Sequence, residues 1–142
     1  VIWHMVGRLQ RNKVRRLGGV VSLWQSVDRI ELVNELALQV PGGRILVQVD
    51  VLDRPRQGGC RPGDVEGLVL HAREMGLTVA GLMTVGADGD LEATEESFAT
   101  TARLADRLDL PERSMGMTDD WHLAVEHGST IVRIGRALFG ER

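Results

Sequence analysis

Residues 20–49 read VVSLWQSVDRIELVNELALQVPGGRILVQV, and within them the hydrophobic period changes twice. Val20–Trp24 is strand-like and leads to Ser26-Val27-Asp28. From Asp28 the apolar positions fall at Leu32, Val33, Leu36, Ala37 and Val40, one face of a helix. Asp28 and Glu31 have the spacing of an N-terminal capping pair, and Pro41-Gly42-Gly43 ends the helix. Ile45–Val49 is the clearest strand in the chain. Strand, helix and strand in this order predict a parallel pair joined by a right-handed crossover.

The alternation continues on both sides. Ile2–Val6 is strand-like, and Gln10–Leu17 is a short basic stretch of helical character. Asp53–Gly63 is a Gly- and Arg-rich loop, expected to be the mobile segment. Val65, Leu68, Val69 and Ala72 mark a helix that ends at Gly76. Thr78–Met83 is a strand, Gly86–Gly89 a loop, and Phe98, Ala102, Ala105 and Leu108 mark a helix closed by Pro111. Arg113–Met117 is a short strand, and Thr118-Asp119-Asp120 opens a helix that ends at His127-Gly128. Thr130–Ile134 is the last strand, before a closing turn at Arg136–Phe139. Six strands result. Their continuous apolar runs suit parallel strands covered on both faces. Two α/β architectures remain: an open doubly wound sheet, or a (β/α)8 barrel, which normally needs about 200 residues or more and two units beyond these six.

Composition narrows the class. The chain has 142 residues, 43% hydrophobic and 26% charged, which fits one domain over residues 1–142. Seventeen basic against twenty acidic residues give a formal charge of −3, with no basic excess for nucleic acid. No apolar run approaches the roughly 20 residues that span a bilayer. Cys60 is the only cysteine, so a reducing cytoplasmic setting is expected. Val1–Met5 has no secretory pattern, and a strand beginning at residue 2 suggests that further chain precedes it. Lys13 is the only lysine.

The chemical signal lies at the last two strands. Ser114-Met115-Gly116-Met117 ends one strand just before a helix, and Arg133-Ile134-Gly135-Arg136 ends the next. Parallel α/β folds bind ligands at the C-terminal ends of strands, and barrels often hold phosphate at the loops after strands 7 and 8. Small residues admit backbone N–H groups, a serine adds a hydroxyl, and two arginines suit an oxyanion. The alternative is that the glycines are packing points and the arginines surface residues. His4, in an otherwise apolar strand, reads as a satisfied core histidine, with a pocket-lining role as the alternative. Lys13, among Arg11, Arg15 and Arg16, reads as part of a solvated basic face. His122 and His127 are too badly spaced for a metal.

The segments also carry a resemblance. Trp3-His4-Met5-Val6-Gly7-Arg8-Leu9-Gln10-Arg11-Asn12-Lys13 resembles the W-H-x-[IV]-G-x-L-Q-x-N-K signature of the pyridoxal phosphate homeostasis protein family (YggS/PROSC type). Ser26-Val27-Asp28 is similar to its H-S-V-D, with Gln25 in place of the usual histidine, and Val47-Gln48-Val49-Asp50 to its V-Q-V-N. Gly81-Leu82-Met83 matches its G-L-M, and Ser114–Asp120 its S-M-G-M-S-x-D. Gly128–Gly140 resembles its closing G-S-T-x-V-R-I-G-T-A-I-F-G. The resemblance implies a PLP-binding (β/α)8 TIM-type barrel like the alanine racemase N-terminal domain, here about six β/α units, strands three to eight. It implies pyridoxal 5′-phosphate (PLP) contacted by Ser114, the Met115–Gly116 backbone and the Gly135 and Arg136 backbone, with Arg133 at the pyridine nitrogen and His4 lining the site.

The chain departs from that pattern. The family's Schiff-base lysine precedes the W-H-x-[IV]-G segment, on a strand this chain does not have. Lys13 matches another family lysine, Gln57 stands where many members have lysine, and Arg136 replaces a threonine. The expectation is a non-catalytic carrier or regulator of intracellular PLP, impaired in covalent anchoring, with no nucleic-acid or membrane partner. Exposed sheet edges would favour self-association. A racemase-like or other phosphate-substrate barrel enzyme, with His4 as its acid or base, and a remnant that binds nothing are the alternatives.

Overall fold

The computed structural model describes residues 1–54 and 56–140. Five strands, β1 (Trp3–Met5), β2 (Val21–Val27), β3 (Arg44–Val49), β4 (Thr78–Thr84) and β5 (Glu112–Ser114), form one sheet. All neighbours are parallel, and their order in space is their order in the chain. A doubly wound sheet reverses direction at a switch point. This one never does, so it is an arc of barrel wall.

The helices α1 (Arg11–Leu17), α2 (Ile30–Gln39), α3 (Val65–Glu74), α4 (Leu91–Arg107), α5 (Trp121–Glu126) and α6 (Arg136–Phe139) follow strands as crossovers or closing turns. The main core joins one face of the sheet to this helical layer. Trp24, Ile45, Val47 and Leu82 pack with Leu32, Val33 and Leu36 of α2, Val65 and Val69 of α3, and Ala105 of α4. A smaller cluster, Leu23, Leu46, Ala80 and Met83, forms separately, backed by Val85 and Ile131. Period-2 alternation carries Gln25 and Gln48 onto the same face as Leu23 and Leu46, and both glutamines are buried.

Four expectations need correction. The segment 130–134 is not a strand; it makes one parallel bridge, Ser114 to Ile131. Ile131 N–H donates to the Arg113 carbonyl and Met115 N–H to the Ile131 carbonyl, both at 3.1 Å. A regular ladder would continue to the Met115 carbonyl, but Arg133 N–H reaches Gly116 instead, at 2.9 Å. Gly116, with φ of +97°, turns the chain there, and Ser129 Oγ takes the Met115 carbonyl at 2.7 Å. The Asp28–Glu31 cap does not form either. Arg29 is the cap residue of α2, with no side-chain cap bond. Asp28 instead accepts from its neighbour Arg29 Nη1 at 2.8 Å and, across 31 positions, from Gly59 N–H at 2.9 Å.

The described residues of the loop after β3 are anchored at both of its ends. Arg54 donates to the Val85 and Gly86 carbonyls at 2.7 and 2.9 Å, and Cys60 N–H to the Gln48 carbonyl at 2.9 Å. Finally, His4 is exposed rather than in the core, because β1 lies at the sheet edge. Exposed apolar side chains at the two ends of the arc include Ile2 and Trp3 at one and Val132, Leu138 and Phe139 at the other; others, such as Leu38, Leu70 and Leu91, lie on the helices. No helix among the described residues is long and apolar enough to cross a membrane.

Candidate functional site

The C-terminal ends of the strands converge on Arg133. Its Nη2 donates to the Thr84 carbonyl at the end of β4, at 2.9 Å. Its Nη1 donates to Ser114 Oγ at the end of β5, at 2.8 Å. Burial pulls the guanidinium below its ordinary pKa, and the charge of Asp120 opposes that shift. Arg133 remains the cation of the site, since so strong a base stays protonated near neutrality.

Ser114 is completely buried, and its hydroxyl is fully engaged. It accepts from Arg133 and donates to Gln25 Oε1 at 2.5 Å. Gln25 Nε2 lies 2.9 Å from His4 Nδ1. A hydrogen-bonded chain therefore runs from β1 through β2 and β5 to Arg133 and β4. Ser114 and Gln25 are 89 positions apart in sequence.

Arg133 also lines an open cleft of about 660 Å³ with Val6, Asp88, Met117, Thr118, Ile134, Gly135 and Arg136. The structure thus brings together Arg133, Gly135 and Arg136 at one cleft. Ser114 touches this group through Arg133, and His4 joins it only through Gln25 and Ser114. Met115 is buried beside Phe98 and Ala124. Its N–H is spent on Ile131, and the Gly116 carbonyl accepts from Arg133 N–H.

The two readings of the glycines divide between the two positions. A Cβ on Gly116 would lie 2.7 Å from Ala124 Cβ, so Gly116 is a packing glycine. A Cβ on Gly135 would meet nothing within 4 Å, so packing does not explain that residue. Gly135 lies directly before α6, whose first N–H groups have no intrahelical acceptors.

The donors suit an anionic, planar ligand: one guanidinium held rigidly, a second at Arg136, the Thr118 hydroxyl and free backbone N–H groups. Two carboxylates temper the charge, Asp88 in the cleft wall and Asp119, which is ion-paired with Arg136. Lys13 is exposed and lines a different cleft with Arg8, Leu9, Gln10 and Arg29. The cleft at Arg133 thus has no lysine in its wall. Among the described residues no group of three His, Cys, Asp or Glu side chains could hold a metal. The Cys60 thiol, pushed up to about 12 mainly by burial and then by Asp28, stays protonated near neutrality.

Motif reading passed over Thr84 and Asp88, and it quoted Val6, Met117 and Thr118 without assigning them to the cleft. It also assigned no role to Gln25, although an amide inside a buried strand is itself a signal, since buried polar groups need partners.

Residues 5–142 match the family described as alanine racemase, N-terminal domain. The pyridoxal phosphate homeostasis protein of Aquifex aeolicus is 39% identical to this chain, over 99% of it and 67% of the relative. That of Deinococcus radiodurans is 38% identical, over 96% of this chain and 66% of the relative. The chain thus spans about two-thirds of the length of the curated relatives it matches. PipY of Synechococcus elongatus, 31% identical, superposes over 99% of this chain and 71% of PipY with a TM-score of 0.90 when solved without PLP. The PLP-bound PipY structure superposes with a TM-score of 0.85.

Proposed function

Because the chain belongs to the alanine racemase N-terminal domain family, among the pyridoxal phosphate homeostasis proteins, we propose that it binds PLP in the cleft at Arg133 and acts as a carrier or regulator of the cofactor. The observation that carries this reading is the double anchoring of Arg133, on Ser114 Oγ and the Thr84 carbonyl, at the wall that Gly135 and Arg136 share.

In this proposal the N–H groups at Gly135 and Arg136, the Arg136 guanidinium and Thr118 hold the phosphate. Met115 and Gly116 shape the turn behind it. Arg133 faces the pyridine nitrogen. Ser114 acts as the acceptor that holds Arg133, since its hydroxyl is already engaged on both sides. His4 contributes through Gln25. PLP, when bound, supplies an aldehyde electrophile and an electron-accepting ring. Arg133 can only donate to that ring and cannot bring it a proton as a neutral acid would. A ring left unprotonated is a poor electron sink, which favours holding the cofactor over catalysis.

None of the residues lining the cleft is a lysine, so these residues hold PLP noncovalently. A cytoplasmic setting is the reading supported by the chain's single cysteine, which cannot form an intrachain disulfide within this sequence. The exposed apolar residues at the two ends of the arc support self-association.

Titrating the chain with PLP and following absorbance and tryptophan emission tests the proposal. A saturable change that is weakened in Arg133→Met and unaffected by pyridoxine is expected. A wild-type chain indifferent to PLP overturns it.

A further inference from the structure

We infer that Gln25 is a positioning residue: its side-chain amide locks Ser114 against Arg133 and fixes which nitrogen of His4 carries the proton. The inference rests on the reading of Arg133 as the cofactor-facing side chain, and adds a residue that no part of that reading requires.

One group in the hydrogen-bonded chain has a role with no alternative. A guanidinium donates and never accepts. In the 2.8 Å contact, therefore, Arg133 Nη1 is the donor and Ser114 Oγ the acceptor. The single hydroxyl proton of Ser114 is then free for another partner, and Gln25 Oε1 stands 2.5 Å away. That uses the carbonyl end of the amide, so its NH2 end faces His4 Nδ1 at 2.9 Å. A ring nitrogen that accepts a hydrogen bond carries no proton. His4 must then hold its proton on Nε2, the nitrogen that points away from Gln25.

Turning the amide round breaks the chain. Ser114 Oγ would receive two N–H donors, and its own proton would lose its acceptor. Ser114 is 0% and Gln25 1% exposed, so water does not repair that loss. The direction of every bond from Arg133 to the exposed edge strand thus follows from one cation that can only donate. The position demands a side chain with an acceptor at one end and a donor at the other. Leucine has neither, and glutamate has no donor.

The test uses the full chain with 15N-labelled histidine, in mildly alkaline solution, with His4→Gln to identify the His4 signals. Long-range 15N–1H spectra of the wild type should show His4 protonated at Nε2 alone. In Gln25→Leu the two tautomers should average. In the same variant PLP affinity should fall about tenfold, roughly the worth of one lost hydrogen bond. Affinity for inorganic phosphate, held at Gly135 and Arg136, should stay within about twofold. Should Gln25→Leu fail to fold, Gln25→Glu decides the point, since its carboxylate accepts from both neighbours and moves His4 to the Nδ1-protonated form. A wild-type His4 protonated at Nδ1 or averaging, a Gln25→Leu chain with the wild-type signature, or equal losses of PLP and phosphate affinity would each overturn the inference. A wild-type chain that binds neither ligand overturns the PLP reading instead, and the tautomer signature then judges the hydrogen-bond chain alone.

Discussion

Replacing Ser114 by alanine removes one oxygen from the centre of the buried chain. Two partners lose their bond: Gln25 Oε1, previously 2.5 Å away, and Arg133 Nη1, previously 2.8 Å away. Arg133 borders the open cleft, so water can replace part of what it loses. Gln25 is 1% exposed and keeps an unpaired carbonyl oxygen. An unsatisfied buried acceptor costs ~1–3 kcal/mol, and most of the loss falls there. The expected cost of Ser114→Ala is ~2 kcal/mol, or a fall of about 4–8 °C in Tm for a domain of this size. Gln25→Leu should cost a similar ~2 kcal/mol, because it leaves the Ser114 hydroxyl proton unpaired. The double variant removes both polar ends together, so its cost should be smaller than the sum by ~1 kcal/mol or more. Urea titration followed by far-UV circular dichroism measures all four corners of the cycle. Strict additivity, or a Ser114→Ala chain within ~0.5 kcal/mol of wild type, would refute the account of the network.

Arg136→Ala should weaken PLP binding about tenfold while leaving stability nearly unchanged, because its ion pair with Asp119 is exposed; equal PLP titrations would contradict the assignment. Gly116→Ala should destabilise by ~2 kcal/mol or more, since φ of +97° and a 2.7 Å approach to Ala124 Cβ both oppose a side chain; a thermal melt like the wild type would count against it. The Cys60 thiol, near 9 when unfolded and about 12 in the fold, should react slowly with iodoacetamide near neutral pH. The folded state holds that proton more tightly, so Cys60's contribution to stability is complete below pH 9 and declines as pH rises towards 12. Cys60→Ser should flatten that alkaline decline. Borohydride treatment of the PLP-loaded chain, after unbound PLP is removed, should leave Lys13 unmodified by mass spectrometry, because Lys13 lines a separate cleft.

Legibility in the sequence followed the range of the interaction. The five strands and the crossover helices were read from local period, and the barrel-like reading came from ordered motifs. Segment 130–134 misled because its apolar run is strand-like, while the register is broken by Gly116 fourteen or more positions earlier. Asp28 misled for a related reason. Its spacing to Glu31 suits a cap, yet its carboxylate is drawn to Gly59, 31 positions away. Arg133, Gly135 and Arg136, which line one cleft, could be grouped from the sequence because they are close in it. Thr84 and Gln25 were not, because their roles depend on partners 49 and 89 positions distant.

The order of residues alone determined the alternation of parallel strands and helices, the apolar faces that must meet, and the clustering of Gly135 with two arginines, since each depends on neighbours along the chain. Only the folded sheet decided that the strands run in one unbroken direction, that His4 stands at an open edge, and that Gln25 joins it to Ser114 and Arg133. Hydrogen bonds form between groups that are adjacent in space, and the fold brings positions 4, 25, 84, 114 and 133 together from four strands and a closing segment.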